Sequence, residues 1–578
     1  MESSLSAQQD YDSNMNKLSQ TSTPSATARC LAVPELQHLI YEMVLDDEDG
    51  LATLAILART ARCLQEVALN RLWDYQTSLV PLVKCFPAHL WAEKPGDDGV
   101  RTVKLLGEPK TEDWARVKFY ASRIRTLSLN PPVGADTRWE GRLAGDVFIT
   151  LRKALGSDPF LPNLDSFGWA QSSARWTEET HELAAFLLML NPLVSSMDVV
   201  MAEWSKKSER AIVSALKAYG HDGSQLRSLK FKCSESPLIE RAVLDLAKRQ
   251  HHLLSLRYAW ETAMPLNTIV HFSAMHQLRE ISIRADQKTT LKLSEDAIAG
   301  SRSFFPSLHL LSVHADTLAL CERWLRMVQS PALDGISFVV DQPPAAPALQ
   351  AFFASLVRDD RMRSKLRSLR FASTNPRTRG EAGQVVTSGT LEPLLRLSLT
   401  ALQLEPGMPI DIDDAFVERM ANAWPSIRTL ELGAEWRREG LFSRVTIQGL
   451  IPLALRCEDL TKLALTFNTD TSAFDGRYDI GLRPLNGVSF DPWNHFVLGV
   501  GASMVYHQTN IAMLSSVLSD LCPGLRALQT AWDRAEGRGT DSGEWDSQED
   551  EVETAWYQIG RYTKEMARIR RQERLWID

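Results

Sequence analysis

One pattern constrains this chain more than any other feature: apolar-x-x-apolar-x-apolar, repeated along most of its length. Its first residue falls at Ile124, Leu164, Val194, Leu226, Leu253, Leu278, Leu308, Leu333, Leu366, Leu394, Ile427, Leu460, Leu485 and Leu525. IRTLSL, LRSLKF, LREISI, LHLLSV and LTKLAL are examples. One such hexapeptide says little, because buried strands in many folds read this way. Recurrence at intervals of roughly 25 to 40 residues marks stacked units, none of which can cover its own apolar side.

The intervals supply the other half of each unit. In DDAFVERMANAWPSIRTLEL, Asp413 or Asp414 caps a helix whose Phe416, Met420 and Trp424 share one face. Pro425 disfavours helical geometry at Trp424 and ends that helix, and the strand IRTLEL follows at once. One helix and one strand per unit place the strands in parallel. The expected fold class is therefore α/β: an irregular leucine-rich-repeat solenoid over residues 111–535, with a parallel sheet on its concave face and helices on its convex face. After the strands, the position that holds a short polar side chain able to bond local backbone carries Ser172, Ser234, Asp286, Asp316, Asp341, Thr374, Asn468 and Asp533. Long excursions interrupt the array at 131–158 and 470–483.

Residues 1–29 are rich in Ser, Thr, Gln and Asn and hold too little apolar surface to offset ordering entropy, so a disordered tail is expected. Residues 75–110 read as a linker region with short helices, 536–553 as an acidic linker and 554–578 as a terminal amphipathic helix. A net charge of -8 over 578 residues argues against a nucleic-acid partner. The longest apolar stretch, FVLGVGASMVY, falls short of the about 20 residues a membrane span needs, and the N-terminus does not read as a signal peptide. A cytoplasmic or nuclear protein without a membrane partner is expected. The seven cysteines show no CxxC and no paired spacing, which fits neither a disulfide framework nor a zinc site. No Walker loop, G-x-S-x-G elbow or H-E-x-x-H is present, and the pair His251 and His252 lacks an acidic or Cys partner at ligand spacing. The chain is expected to be non-catalytic, with no metal and no cofactor.

Between tail and array, VPELQHLIYEMVL places Pro34 in a first helical turn and Leu36, Leu39, Ile40, Met43 and Val44 on one face. The acidic turn DDEDG, then LATLAILARTARCL and EVALNRLW, add two short helices and complete a three-helix module over residues 30–74. Val33-Pro34-Glu35-Leu36, Ile40, the acidic turn, Leu51, Leu54, Leu64 and Leu72-Trp73 resemble the F-box motif in order and spacing. LVPLVKCFPAHLW, residues 79–91, is similar to a phrase that often follows it in fungal F-box proteins of the leucine-rich-repeat type. From residue 31 onward the chain resembles that family. The resemblance implies a substrate-recognition subunit of an SCF-type ubiquitin ligase. Its F-box would dock on a Skp-family adaptor, and through it a cullin, while the repeats hold a substrate protein. It further implies adaptor contacts at Val33, Pro34, Leu36, Ile40, Leu51 and Leu54, with Leu72 and Trp73 closing the module. The competing reading is a repeat scaffold whose first helices merely cap the array, with no role in ubiquitin ligation.

Along each strand, the residues between apolar positions point away from the core. In successive repeats these are Lys230 and Lys232, Arg257, Arg284 and His314, with Glu280 interrupting and Glu431 and Asp491 following later. A basic stripe of this kind offers paired hydrogen bonds to an acidic or phosphorylated substrate segment. The plainer reading is a solvated face with chance charge.

Overall fold

The computed structural model describes residues 33–45, 50–60, 62–95, 100–129, 142–156, 158–170, 179–201, 204–221, 225–233, 236–259, 262–299, 304–375, 385–433, 443–474, 485, 487–490, 496–505, 510–531 and 547–577. The expected tail at 1–29, most of the acidic linker, and Ser172, Ser234, Asp491 and Asp533 lie outside them. The chain forms two compact units, Met1–Leu226 with Ser236–Ala242, and Arg227–Glu235 with Val243–Asp578.

The first unit opens with three helices, α1 (Pro34–Leu45), α2 (Gly50–Thr60) and α3 (Arg62–Asp74). Their shared core is small: Tyr41, Leu54, Ala58, Leu64 and Ala68, with Val44, Leu45, Leu57, Val67, Leu69 and Leu72 packed around it. Without a break, α3 runs into β1 (Tyr75–Gln76). Four more strands precede the second half of the unit: β2 (Trp91–Pro95), β3 (Arg101–Leu105), β4 (Thr126–Ser128) and β5 (Arg142–Leu143). With β6 (Ser166–Ala170) and β7 (Ser196–Met201), a parallel run forms in the order β1-β4-β6-β7. Helix α4 (Trp114–Ala121) leads into β4, and the helices Asp146–Leu155 and Glu179–Met189 lead into β6 and β7.

Residues 75–110 correct the expectation of a linker built of short helices. Helical turns do occur at Val80–Val83 and Ala88–Leu90, but β2 and β3 form an antiparallel pair with Trp91 opposite Leu105, and β5 joins β3 in parallel. The alternation in RTVKL, with Val103 buried between more exposed neighbours, suits a half-buried strand better than a helix.

The second unit contains β8 (Ser228–Cys233), β9 (Ser255–Ala259), β10 (Glu280–Ala285), β11 (Leu310–Ala315), β12 (Gly335–Val340), β13 (Ser368–Ser373), β14 (Val386–Thr387), β15 (Ala401–Glu405), β16 (Ile410–Asp411), β17 (Thr429–Leu432), β18 (Lys462–Leu465), β19 (Phe496–Gly501) and β20 (Leu525–Thr530). Eleven of them run parallel, in chain order, with β14 and β16 set aside as a separate parallel pair. Helices such as Leu266–Ser273, Leu318–Met327, Ala346–Arg358 and α5 (Asp414–Ala423) alternate with the strands. Register is kept by an apolar ladder of Ile281, Leu311, Ile336, Leu369, Leu402, Leu430, Leu463 and Leu498, each opposite the next. Slipping one strand by one residue would turn its member of this ladder toward solvent.

Two of the expected strands lie elsewhere. Leu394 falls in a short 3₁₀ turn, Glu392–Arg396, which Pro393 favours, and the strand follows the second in-phase pattern from Leu399 through Leu402 to Leu404. At Leu485 the stretch LNGVSF contains Gly487 at φ 84, a left-handed conformation that breaks a strand, and the strand is β19 instead. The terminal helix α6 (Ser547–Ile577) starts before the expected residue 554. Glu551 lies in its first turns, where a carboxylate favours the positive end of the helix dipole, and Val552 and Trp556 are its first buried pair. Trp556 donates from Nε1 to the Ser503 carbonyl at 2.7 Å, and Arg570 pairs with the buried Asp520 at 3.1 Å, so α6 closes the end of the array.

Candidate functional site

Helix α1 carries two faces. Gln37 and Tyr41, one turn apart, are buried, Val44 packs beside them, and the Tyr41 hydroxyl donates to the Leu64 carbonyl at 3.5 Å. The opposite face holds Leu36, Leu39, Ile40 and Met43 at i, i+3, i+4 and i+7, and all four are exposed, Leu39 by 57% and Met43 by 75%. Val33 at the entry to the helix and Leu51 and Ile56 on α2 are exposed as well, Leu51 by 62%. Exposed apolar side chains clustered in this way form a candidate interaction surface.

Among the positions expected to meet an adaptor, Val33, Leu36, Ile40 and Leu51 lie on open surface. Pro34 starts α1, and its side chain is not among the described ones. Leu54 is a correction: at 0% exposure it lies in the three-helix core and not on open surface. The F-box resemblance set Leu54 beside Leu51 on the adaptor surface, yet α2 turns Leu54 and Ala58 inward and Leu51 outward. Leu39, Met43 and Ile56 were missed as surface residues. The helical spacing on α1 already grouped the first two with Leu36 and Ile40.

The far side of the module is fastened to the strand run of its own unit. Trp73 stacks on Tyr120 of α4 with ring centroids 4.6 Å apart. Arg123 donates to Glu66 at 2.8 Å and to Asn70 at 2.7 Å, while β1 pairs with β4. Within α1–α3, Arg71 reaches Glu42 at 2.6 Å. Thus α3 faces the array, and the leucine face of α1 is left over.

The second candidate surface lies on the outward side of the strands in the second unit. Lys230 and Lys232 sit on β8, Arg257 on β9, Arg284 on β10 and His314 on β11, all at positions between buried apolar residues. Partners within the face divide them. Arg257 Nη2 lies 3.3 Å from Glu280 Oε2, which also accepts from the Ser255 hydroxyl at 2.9 Å. Arg284 Nη2 donates to Asp341 Oδ2 at 2.7 Å, and His314 Nε2 meets Asp341 Oδ1 at 2.8 Å. The Thr374 hydroxyl donates to the same Oδ1 at 2.9 Å. Burial alone would raise the Asp341 carboxyl; hydrogen bonds from His314 and Thr374 and the charges of His314 and Arg284 outweigh it and hold the group below its ordinary value. Arg284 and His314 are therefore both engaged by Asp341, and the stripe is not uniformly basic. Farther along, Glu431 is buried, accepts from Gln403 at 2.7 Å and pairs with Lys462 at 2.9 Å.

Cys85, Cys233, Cys321, Cys457 and Cys522 are buried and unpaired by disulfides; burial raises the thiols of Cys85, Cys321 and Cys522, and that of Cys457 to about 11. Both His251 and His252 are exposed. Among the described residues no group of three or more His, Cys, Asp or Glu could hold a metal ion, and no helix is long and apolar enough to cross a membrane. No protein-family model matches this chain, and no curated protein is significantly similar to it.

Proposed function

We propose that this chain is the substrate-receptor subunit of an SCF-type ubiquitin ligase, an F-box protein with degenerate leucine-rich repeats. The observation that carries the reading is the exposed face of Leu36, Leu39, Ile40 and Met43 on a helix whose other side is already packed. An apolar face on a small helical module fits a helical adaptor of the Skp family, and the parallel array fits a substrate-holding surface. The chain would supply no reacting group: holding a substrate lysine near an activated ubiquitin raises its effective concentration, which is the whole of its contribution to rate.

A specific observation favours the second reading, a non-ligase scaffold in which α1–α3 cap the array: the contacts of Trp73, Glu66 and Asn70 with α4 and Arg123 are those a cap would make. A cap, however, needs only the α3 side. Capture of a purified Skp-family adaptor separates the two. The wild-type protein is expected to capture it, and the double variant Leu39→Glu, Met43→Glu to lose capture while keeping its unfolding temperature, because an unpaired carboxylate is costly in an apolar interface and harmless in water. Failure of the wild type to bind, or undiminished binding by the variant, removes the receptor reading. Incubation with ubiquitin, its activating enzyme and ATP is expected to yield no reducible adduct on the chain.

A further inference from the structure

Strand registers in the second unit align one row of outward side chains: Lys230 beside Arg257, then Ser282, Ser312, Ser337 and Arg370. Three serines on adjacent strands thus lie between cations at either end. The Ser282 and Ser312 hydroxyls are 3.3 Å apart. Ser337 is only 9% exposed, yet its hydroxyl has no hydrogen-bond partner among the described residues. Its place in β12 aims the hydroxyl into the row, where it can donate and accept.

The two ends differ from the rest of the stripe. Arg284 and His314 are held by Asp341, as described. Arg257 engages Glu280 through one nitrogen at 3.3 Å and is half-exposed, so most of its fork faces solvent. Arg370, which the sequence reading passed over, is exposed and carries no ion pair among the described residues. Four strand steps separate Arg257 from Arg370, about 19 Å at the usual spacing of neighbouring strands. An extended peptide advances about 3.3 Å per residue, so acidic side chains about six residues apart reach both guanidinium groups. Its backbone then lies over the three hydroxyls, which donate and accept equally well.

We propose that this row holds an extended protein segment through two carboxylates, one on Arg257 and one on Arg370, with short polar residues between them over Ser282, Ser312 and Ser337. The inference rests on the reading that the second unit holds the substrate, and it names the chemistry of that substrate. Charge favours a peptide over nucleic acid, since the chain as a whole is at -8.

The test titrates labelled peptides of about ten residues into the full-length protein, with two glutamates set from about two to about eight positions apart in a Gly/Ser background, and reads fluorescence anisotropy. Affinity is expected to peak near a spacing of about six and to weaken with salt. Replacing either Arg257→Ser or Arg370→Ser should weaken binding about tenfold or more and erase the spacing optimum, and Arg370→Lys should restore part of the affinity. Glu280→Gln should tighten binding by freeing Arg257. Affinity that ignores spacing, or that survives the double arginine variant, overturns the inference. So does preferential binding of phosphoserine peptides or of a single-stranded oligonucleotide, which would assign the row to another ligand. Adaptor capture is measured in parallel: a protein that shows the spacing optimum but captures no adaptor keeps this inference and removes the ligase reading, while the reverse result removes this inference alone.

Discussion

Helices α1 and α5 carry apolar residues at the same helical spacing and dispose of them in opposite ways. In α5, Phe416, Val417 and Met420 are buried, and Trp424 just beyond donates from Nε1 to the Leu397 carbonyl at 3.0 Å. In α1, Leu36, Leu39, Ile40 and Met43 stand in the open, and the helix packs through Gln37, Tyr41 and Val44. Since α5 lies between consecutive strands, its stripe closes its own unit. By contrast α1 has only two short helices to lean on, and their core of five buried residues is filled by Tyr41. Amphipathicity establishes that a face needs covering; it does not say whether this chain supplies the cover.

That comparison can be broken most forcefully by cutting into each stripe. Trp424→Ala should cost about 3–5 kcal/mol, the usual price of removing a large aromatic from a packed core. Leu39→Ala and Met43→Ala should each change stability by less than about 0.5 kcal/mol, as exposed substitutions do. Urea unfolding of the three variants measures both, and a loss at Met43 approaching that at Trp424 would mean that α1 is covered by its own chain.

The next effect concerns how the module is held. Arg123 is largely buried between Phe119 and the acceptors Glu66 and Asn70. Arg123→Ala should destabilise the first unit by about 1–2 kcal/mol, since it removes two hydrogen bonds, one of them charged, and the packing on Phe119, while water reaches the freed acceptors. Amide exchange should then quicken across α3 and β1 while the strands from β10 onward keep their protection. Uniform quickening would contradict the local nature of the contact.

A smaller cost is expected at the start of α5. There Asp413 accepts from the Phe416 amide at 3.0 Å, and Asp413→Ala should cost about 1 kcal/mol, with Asp413→Asn recovering most of it.

The smallest effect follows from Asp341. Its carboxyl is held below the ordinary carboxylate range, so the stability it contributes is complete above about pH 4 and is lost as the pH falls through its lowered value. The contribution should be below about 1 kcal/mol for a partly solvated cluster. Wild type and Asp341→Asn should therefore differ in urea midpoint at pH 7, and the gap should close as the pH falls below the lowered value. A gap that widens on acidification would reverse the assigned sign.

Much of the array was legible because strands of this kind are written twice, once in each apolar hexapeptide and again in its neighbours. Ile281 through Leu498 form one ladder because each unit repeats the same period-two choice. The reading failed at Leu394 and Leu485, where apolar residues matched the pattern but Pro393 and Gly487 set a backbone that no strand adopts. The short polar positions divided similarly. Asp286 and Asn468 bond local backbone as expected, accepting from Thr289 and Asp470 amides at 2.6 and 3.0 Å, whereas Asp341 turns to side chains on three other repeats.

Sequence alone determined the helix–strand alternation of the repeats, their parallel stacking and the period of the buried ladder, because local propensity and nearest-neighbour burial are encoded within a few residues of each position. Which apolar face stayed uncovered, which cation kept its charge for solvent, and that Leu54 turned inward were decided by tertiary structure. Those outcomes depend on groups far apart in the chain: Tyr41 against Leu64, and Arg284 against Asp341, 57 residues on. No local pattern fixes which of several possible partners arrives, and burial and charge pairing are settled only when it does.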